Sequence, residues 1–265
     1  DMAALNYPWL GGAGELNRNW SYDDYAREAR RLGIAATLHM EVDVAEEDIE
    51  KETANVSAIA ARPDSLLVGA VAACRPENEG FSAYIERVRG NHHVKGLRRI
   101  LHFMPDDLST SPLFRENIKR LAGTGLTFDI VVFPRQMAKA IALVDLAPDV
   151  QFVLDHCGVP DIKGDAYDDW AKGMAEIAKR PNVVGKLSGI VAYTDTGTWT
   201  LDSIRPYAEH TINSFGFNRM VWGSDWPVLN LVSDYKAWFG QAHSIVPDAA
   251  WNRVFSGTAK QFYRL

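Results

Sequence analysis

The sequence has little of what marks several large classes of protein. Its 265 residues include two cysteines, Cys74 and Cys157, which are too few for a secreted disulfide framework and form no Cys-x-x-Cys motif. No apolar run approaches the roughly 20 residues that span a bilayer. The net charge is −6, and lysine and arginine are scattered, which argues against nucleic acid or an anionic membrane as a partner. A small-molecule partner is expected instead.

The start of the chain shows no recognisable targeting signal. No basic segment followed by an apolar one opens the sequence, which indicates a cytoplasmic protein without a secretory leader. Hydrophobic residues make up 47% and charged residues 23% of the chain, as in a large globular domain. Because no linker or low-complexity tract interrupts it, we expect a single domain over residues 1–265. The oligomeric state stays open.

Short apolar, β-branched runs alternate with amphipathic stretches, which indicates repeated βα units around a parallel sheet. The predicted strands are Ala35–Val42, Leu66–Ala72, Val94–Leu101, Leu126–Phe133, Gln151–His156, Val183–Ser188 and Met220–Ser224. The predicted helices are Tyr22–Leu32, Asp48–Ala61, Phe81–Arg89, Pro112–Leu121, Gln136–Leu146, Tyr167–Lys179 and Ser203–Phe215. The polar stretch Tyr193–Thr200 reads equally well as a lid over a site and as a plain connection.

The strand spacing of about 30 residues is typical of a (β/α)8 TIM barrel. Seven strands are one short of closure, so the first strand is expected to precede residue 1. An open, doubly wound sheet is the alternative that the count allows. Polar residues at the carboxyl ends of several strands favour the barrel, because a barrel builds its active site there.

His156 ends an apolar strand in Leu154-Asp155-His156-Cys157-Gly158 and is expected on the rim of the barrel as a catalytic residue or metal ligand. A lone histidine is more often structural, but this position favours a function. Cys157 is not its nucleophilic partner, since adjacent strand residues point to opposite faces. Both cysteines are therefore predicted to be core residues, and Asp155 to hydrogen-bond from the face opposite His156.

The last predicted strand repeats this pattern in Gly223-Ser224-Asp225-Trp226-Pro227. A carboxylate there can bind a divalent ion or take a proton from water, so Asp225 is the second candidate for catalysis and metal binding. A helix cap or Asx-turn is the structural alternative. Trp226 follows directly and is a candidate for substrate binding.

Further candidates lie on other strands. Arg98 is predicted to hold an anionic or carbonyl group of the substrate, whereas the neighbouring Arg99 should pair with an acid outside the barrel. His39 and Glu41 share one strand face and are predicted to reach the rim as substrate-binding residues. Lys186 lies in mid-strand, and pairing with an acidic neighbour is favoured over catalysis. The remaining histidines show no metal-ligand spacing and are treated as structural or solvated.

Several motifs together make the sequence resemble the amidohydrolase superfamily, in the branch that contains sugar lactonases and pyrone-dicarboxylate lactonases. They span nearly the whole chain and are Tyr7-Pro8-Trp9-Leu10, Lys95-Gly96-Leu97-Arg98, Phe128-Asp129-Ile130-Val131-Val132, Asp155-His156, Lys186-Leu187-Ser188-Gly189, Phe215-Gly216, Gly223-Ser224-Asp225-Trp226-Pro227-Val228 and Ala259-Lys260-Gln261-Phe262-Tyr263.

The resemblance implies a metal or activated-water site. In such proteins an H-x-H pair on the first strand joins a histidine and an aspartate, which correspond here to His156 and Asp225. The H-x-H pair is absent from this sequence. The resemblance thus implies one divalent ion, with zinc as first choice, but two side chains seldom hold zinc well. Some relatives of the pyrone type work without a metal.

Three functions follow as hypotheses. The first is a hydrolase that opens the lactone ring of a sugar acid or related carboxylated lactone: Asp225 activates water, His156 or a metal polarises the carbonyl, and Arg98 holds the substrate. The second is a metal-dependent decarboxylase of the same superfamily. The third is a barrel without activity, used for binding or assembly.

Overall fold

The computed structural model describes residues 2–194, 197 and 199–265. Its parallel strands form one sheet in the order β1 to β7, and they are β1 Thr37–Met40, β2 Leu67–Ala73, β3 Val94–Ile100, β4 Thr127–Val131, β5 Phe152–Leu154, β6 Val183–Leu187 and β7 Met220–Trp222. Each strand pairs with the next along the chain, whereas a doubly wound sheet reverses its strand order at a switch point. The sheet curls as in a TIM barrel, which confirms the predicted fold class. A further strand before residue 1 stays a prediction.

Helices alternate with the strands and cover the outside of the sheet. They are α1 Tyr22–Arg31, α2 Ile49–Ala60, α3 Phe81–Arg89, α4 Pro112–Lys119, α5 Met137–Leu146, α6 Tyr167–Ile177, α7 Leu201–Phe215, α8 Tyr235–Ile245 and α9 Thr258–Tyr263. Helix α1 starts where Ser21 and Asp24 form a capping box, in which the Ser21 hydroxyl accepts from the Asp24 amide at 3.1 Å. None of the helices in the described residues is both long and apolar enough to cross a membrane.

The two faces of the sheet are filled differently. Outward-facing residues such as Leu97, Phe128 and Phe152 pack against the helices in the main hydrophobic core. The inward face carries an apolar interior cluster, formed by Val71, Val153, Val184, Val221 and Tyr263. Because side chains alternate between the faces of a strand, the inner positions two residues further along β5, β6 and β7 lie nearer the carboxyl rim. Two of those positions carry charged residues, Asp155 just after β5 and Lys186 in β6, whereas the third is Gly223 after β7.

Candidate active site

The chain leaves β5 through a turn that places His156 at the rim. The residues Asp155–Gly158 form a turn in which His156 and Cys157 have φ angles of 53° and 51°, in the left-handed region. The indole of Trp170 stabilises this turn by donating to the Cys157 carbonyl at 2.8 Å. Nδ1 of His156 lies 3.0 Å from the Ser188 hydroxyl, which follows β6. The turn and its neighbour strand therefore fix the imidazole together.

The chain leaves β7 through a second left-handed residue, Asp225, whose φ is 58°. The indole of Trp238 donates to the Gly223 carbonyl at 3.0 Å, and the Trp226 amide donates to the Ser224 hydroxyl at 3.2 Å. These bonds hold the turn so that Asp225 Oδ1 lies 3.9 Å from His156 Nδ1. Their side chains are 17% and 12% exposed, respectively. The structure thus brings together the two residues predicted to be catalytic.

Burial moves the protonation equilibria of both residues. Burial raises the pKa of Asp225 to about 7, although the nearby Lys186 and Arg98 work against this shift. Burial also lowers the pKa of His156 to about 3, and the positive charges of Lys186 and Arg98 add to the effect. At neutral pH, His156 is therefore uncharged, and Asp225 exchanges its proton near the working pH of a general base.

Behind this pair lies a charged interior network, formed by Glu41, Arg98, Asp155 and Lys186. The guanidinium of Arg98 donates from Nε to Glu41 Oε1 at 2.7 Å and from Nη1 to Asp155 Oδ2 at 3.0 Å. Its Nη2 donates to the Glu41 carbonyl oxygen. Lys186 Nζ lies 3.0 Å from Asp155 Oδ1. Two cations thus share the central carboxylate of Asp155, which is fully buried.

The network explains the charge state of its centre. Burial alone would raise the pKa of Asp155, but Lys186, His156 and Arg98 together hold that pKa below its usual value. Asp155 is therefore an anion throughout the neutral range. The prediction that Lys186 pairs with an acid is confirmed. Arg99 contacts Glu77 on the outer face at 2.6 Å, also as predicted.

His39 and Glu41 do not share a face, contrary to the expectation from strand alternation. His39 Nε2 lies 2.9 Å from Glu52 Oε1 of helix α2, so its ring faces outward. Glu41 follows the last residue of β1, where strand geometry ends, and its carboxylate turns inward to Arg98. Substrate binding by Arg98, Glu41 and His39 stays a prediction, and the structure adds that Arg98 is 6% exposed and already paired.

Trp226 lies at the rim among other aromatic side chains. Its ring meets those of Trp20 and Tyr25 edge-on, with centroids 5.3 and 5.5 Å away. The two cysteines are buried, as predicted, and burial raises the pKa of Cys157 to about 11, which leaves no reactive thiolate beside His156. Asp195, Thr196 and Thr198 of the possible lid lie outside the described residues, and the lid stays a prediction.

The sequence model of the amidohydrolase family matches residues 6–265. The chain belongs to the amidohydrolase family. The L-fucono-1,5-lactonase of Burkholderia ambifaria is 34% identical over 181 residues, which cover 64% of this chain and 61% of that protein. A second L-fucono-1,5-lactonase, from Burkholderia multivorans, is 27% identical over 287 residues, which cover 99% of this chain and 92% of that protein.

This amidohydrolase also shares its fold with a solved amidohydrolase of Burkholderia multivorans that contains zinc. That structure superposes with a TM-score of 0.89 at 24% identity and covers 100% of this chain and 95% of its own. Catalytic zinc sites commonly use three protein ligands. Across residues 2–194, 197 and 199–265, no group of three or more His, Cys, Asp or Glu side chains is placed to hold a metal ion. His156 and Asp225 supply two donors, so the described residues alone do not fit zinc.

Sequence reasoning missed one rim residue of this amidohydrolase, His102, which follows β3 and is 8% exposed. Its ring packs against Phe103 and Phe133, with centroids 3.9 and 5.1 Å away. Burial lowers the pKa of His102 to about 4, and Arg98 and Arg135 add to the shift. Nδ1 is buried and has no hydrogen-bond partner among the described residues. The sequence signal that could have identified His102 is its position two residues beyond the end of β3.

Proposed function

We propose that this amidohydrolase opens the lactone ring of a sugar acid or of a related carboxylated lactone. The observation that carries the proposal is the pairing of Asp225 and His156 at the rim, with 3.9 Å between Oδ1 and Nδ1 and with the pKa of Asp225 raised to about 7. The two L-fucono-1,5-lactonases among its relatives support a lactone as the substrate class.

Asp225 is the general base in this proposal. Its carboxylate takes a proton from water as the water oxygen bonds to the lactone carbonyl carbon. The bond from that carbon to the ring oxygen then breaks, and Asp225 returns the proton to the departing oxygen. The product is the open hydroxy acid, and Asp225 ends as it began. A base whose pKa lies near the working pH typically contributes about 10²–10⁴-fold.

His156 polarises the carbonyl as a neutral hydrogen-bond donor. If the Ser188 hydroxyl donates to Nδ1 across their 3.0 Å contact, the imidazole proton sits on Nε2. Nε2 can then donate to the carbonyl oxygen, which gains negative charge in the transition state. The low pKa of His156 supports this role, because a neutral imidazole keeps Nδ1 as an acceptor for Ser188 and its proton on Nε2.

The involvement of one divalent ion, with zinc as first choice and with His156 and Asp225 as its donors, stays a prediction. It is supported by the zinc in the similar Burkholderia multivorans structure and by the family resemblance. The proton transfers described above are those of the chain's own residues.

The test is a panel of lactones with the purified protein. We expect acid release above the spontaneous rate from 1,5- or 1,4-lactones of sugar acids, read with a pH indicator, and a product that exceeds the substrate mass by one water. Carbon dioxide release from aromatic or semialdehyde acids, without lactone opening, would replace the proposal by the decarboxylase hypothesis. Failure to accelerate any lactone would refute it.

A further inference from the structure

A cavity of about 330 Å³ adjoins the turn that carries Asp225. It is lined by Glu15, Leu16, Arg18, Trp20 and Asn230. This volume lies at the lower end of the range of small-molecule sites, which is about 300–1,000 Å³. Most of the lining comes from the segment before α1, and Asn230 comes from the segment that follows β7. The cavity therefore joins two parts of the chain that are far apart in sequence.

Backbone hydrogen bonds tie the Asn230 side of the cavity to the active site. The Asn230 amide donates to the Pro227 carbonyl at 3.0 Å, and the Leu229 amide donates to the Asp225 carbonyl at the same distance. On the other side, the ring of Trp20 contacts Trp226 at 5.3 Å between centroids. The cavity thus borders the segment that follows Asp225.

The polar groups of the cavity differ from those of the charged interior network. The Arg18 guanidinium lies 3.8 Å from the centre of the Trp20 ring, a cation–π contact that holds it in place. Among the described residues Arg18 has no carboxylate partner within ion-pair distance, in contrast to the buried Arg98, which binds Glu41 and Asp155. Arg18 therefore keeps donors for a ligand.

The lining offers both kinds of hydrogen-bonding group. Arg18 supplies donors only, the Glu15 carboxylate supplies acceptors only, and the Asn230 amide supplies both. Vicinal hydroxyls, each of which donates and accepts, match such a mixed set. A second carboxylate on the substrate could pair with Arg18 but would also meet the negative charge of Glu15, whereas hydroxyls can use Arg18, Glu15 and Asn230 together. The set favours a polyhydroxylated chain over a dicarboxylate.

We propose that this cavity is the subsite for the hydroxylated carbons of a sugar lactone, with Arg18 as the residue that binds a hydroxyl oxygen; the inference rests on the lactonase function proposed above. Arg18 lies on the non-reacting part of the substrate and stabilises the ground state and the transition state alike. Its loss then raises KM and leaves kcat nearly unchanged.

The experiment compares two lactones and two variants. Arg18→Met removes the donors while keeping an apolar stem, and Arg27→Met, on the exposed face of α1, serves as the matched control. We expect Arg18→Met to raise KM for a sugar 1,5-lactone about 10-fold to 100-fold, as for a lost hydrogen bond to a charged group. For δ-valerolactone, which has no hydroxyls, kcat/KM should stay the same. Arg27→Met should change neither.

The outcomes separate the subsite from the activity. If the wild type opens both lactones and Arg18→Met changes neither, or weakens both equally, the subsite is overturned and the lactonase function stands. If the wild type opens no lactone, the proposed function fails, and the subsite fails with it. Glu15→Gln adds an independent check: it should raise kcat/KM for lactones with a second carboxylate, and an unchanged selectivity would contradict the role of Glu15.

Discussion

The barrel interior contains two adjacent regions of different composition. One is apolar, and the other is charged. The apolar interior cluster is made of valines and the ring of Tyr263, whereas the charged interior network two residues further along holds two cations and two carboxylates. Lys186 lies two residues after Val184, and Asp155 lies two residues after Val153, so each pair faces the same side of the sheet. The change from one region to the other is therefore abrupt.

The apolar interior cluster stabilises the fold, whereas the charged interior network sets the protonation states at the active site. Apolar burial in the cluster is non-directional and stabilises the fold at any pH. The network gains little net stability, because desolvation offsets the attraction of its ion pairs. Its consequence is electrostatic: the charges of Lys186 and Arg98 help to keep His156 neutral and limit the rise in the pKa of Asp225. Substitutions in the two regions should therefore fail in different ways.

The largest effect is expected from Asp225→Asn, at the rim beyond the network. An amide keeps the shape of the side chain but cannot accept the proton from water, so kcat should fall at least about 10³-fold. The melting temperature should stay close to that of the wild type. Asp202→Asn, on the exposed first turn of α7, is the control and should leave lactone turnover intact. Near-normal activity of Asp225→Asn would remove Asp225 from the mechanism.

The next effect is expected within the network itself. Asp155→Asn removes the anion that Arg98 and Lys186 share, and breaking a buried ion pair on one side costs about 3–5 kcal/mol of unfolding free energy. Urea titration should show the loss. The added substitution Lys186→Met should restore part of it, since it removes one unpaired cation.

Glu77→Gln is the matched control for that experiment. It breaks the ion pair of Arg99, which lies on the outer face of β3 next to Arg98, and Glu77 is 19% exposed. Its cost should be clearly smaller than that of Asp155→Asn. Equal losses in the two variants, or no recovery with Lys186→Met, would show that the network is not a coupled unit.

A smaller effect is expected from Tyr263→Phe in the apolar interior cluster. The Tyr263 hydroxyl donates to Asp129 Oδ2 at 3.0 Å, and both residues are buried. Without it, a buried carboxyl oxygen of Asp129 loses its donor, which costs about 1–3 kcal/mol. Lactone kinetics should be unchanged when measured well below the melting temperature. A loss of kcat without a loss of stability would place Tyr263 with the active site instead.

A further effect depends on pH and involves Asp129, at the border of the two regions. Burial, together with the charge of Asp155, raises the pKa of Asp129 to about 8. A carboxyl whose pKa is higher in the folded state contributes stability that is complete below its unfolded pKa of about 4 and is lost as the pH rises through about 8. Asp129→Asn should remove this loss.

Urea midpoints of the wild type and Asp129→Asn, measured from pH 5 to pH 9, test the prediction. The stability of the wild type should fall relative to the variant across this range. Parallel curves would contradict a raised pKa in the folded state.

The regular part of the fold could be predicted from the sequence because strand alternation and helical spacing repeat in every βα unit. The seven strands were found, but several predicted strands were too long; at β5 the left-handed residues His156 and Cys157 end the strand early. Helix α8 was missed, although Asp234 caps it by accepting from the Ala237 amide at 2.8 Å. Tyr235, Trp238, Ala242 and Ile245 give it a clear apolar face.

The site was only partly predictable, for a related reason. His156 and Asp225 were recognisable because polar residues at the carboxyl ends of barrel strands are typical of an active site. The inward turn of Glu41 was not predictable, since Glu41 lies just past the last residue of β1, where alternation no longer decides the face. Asp155 was expected on the face opposite His156, but it binds Arg98 and Lys186 in the interior. Long-range contacts such as that of Trp20 with Trp226 depend on how loops meet, and no local pattern specifies them.

Gly189 limits the motion of the His156 ring and does not act on its charge. A Cβ atom at Gly189, whose φ is 64°, would lie 2.5 Å from His156 Nδ1, so the imidazole fills the space that any other residue there would need. The backbone at Gly189 therefore closes one side of the ring. The ring's conformational entropy is lost once, during folding, and not at each turnover. The donor is in place before a substrate arrives, which is the condition for preorganised catalysis.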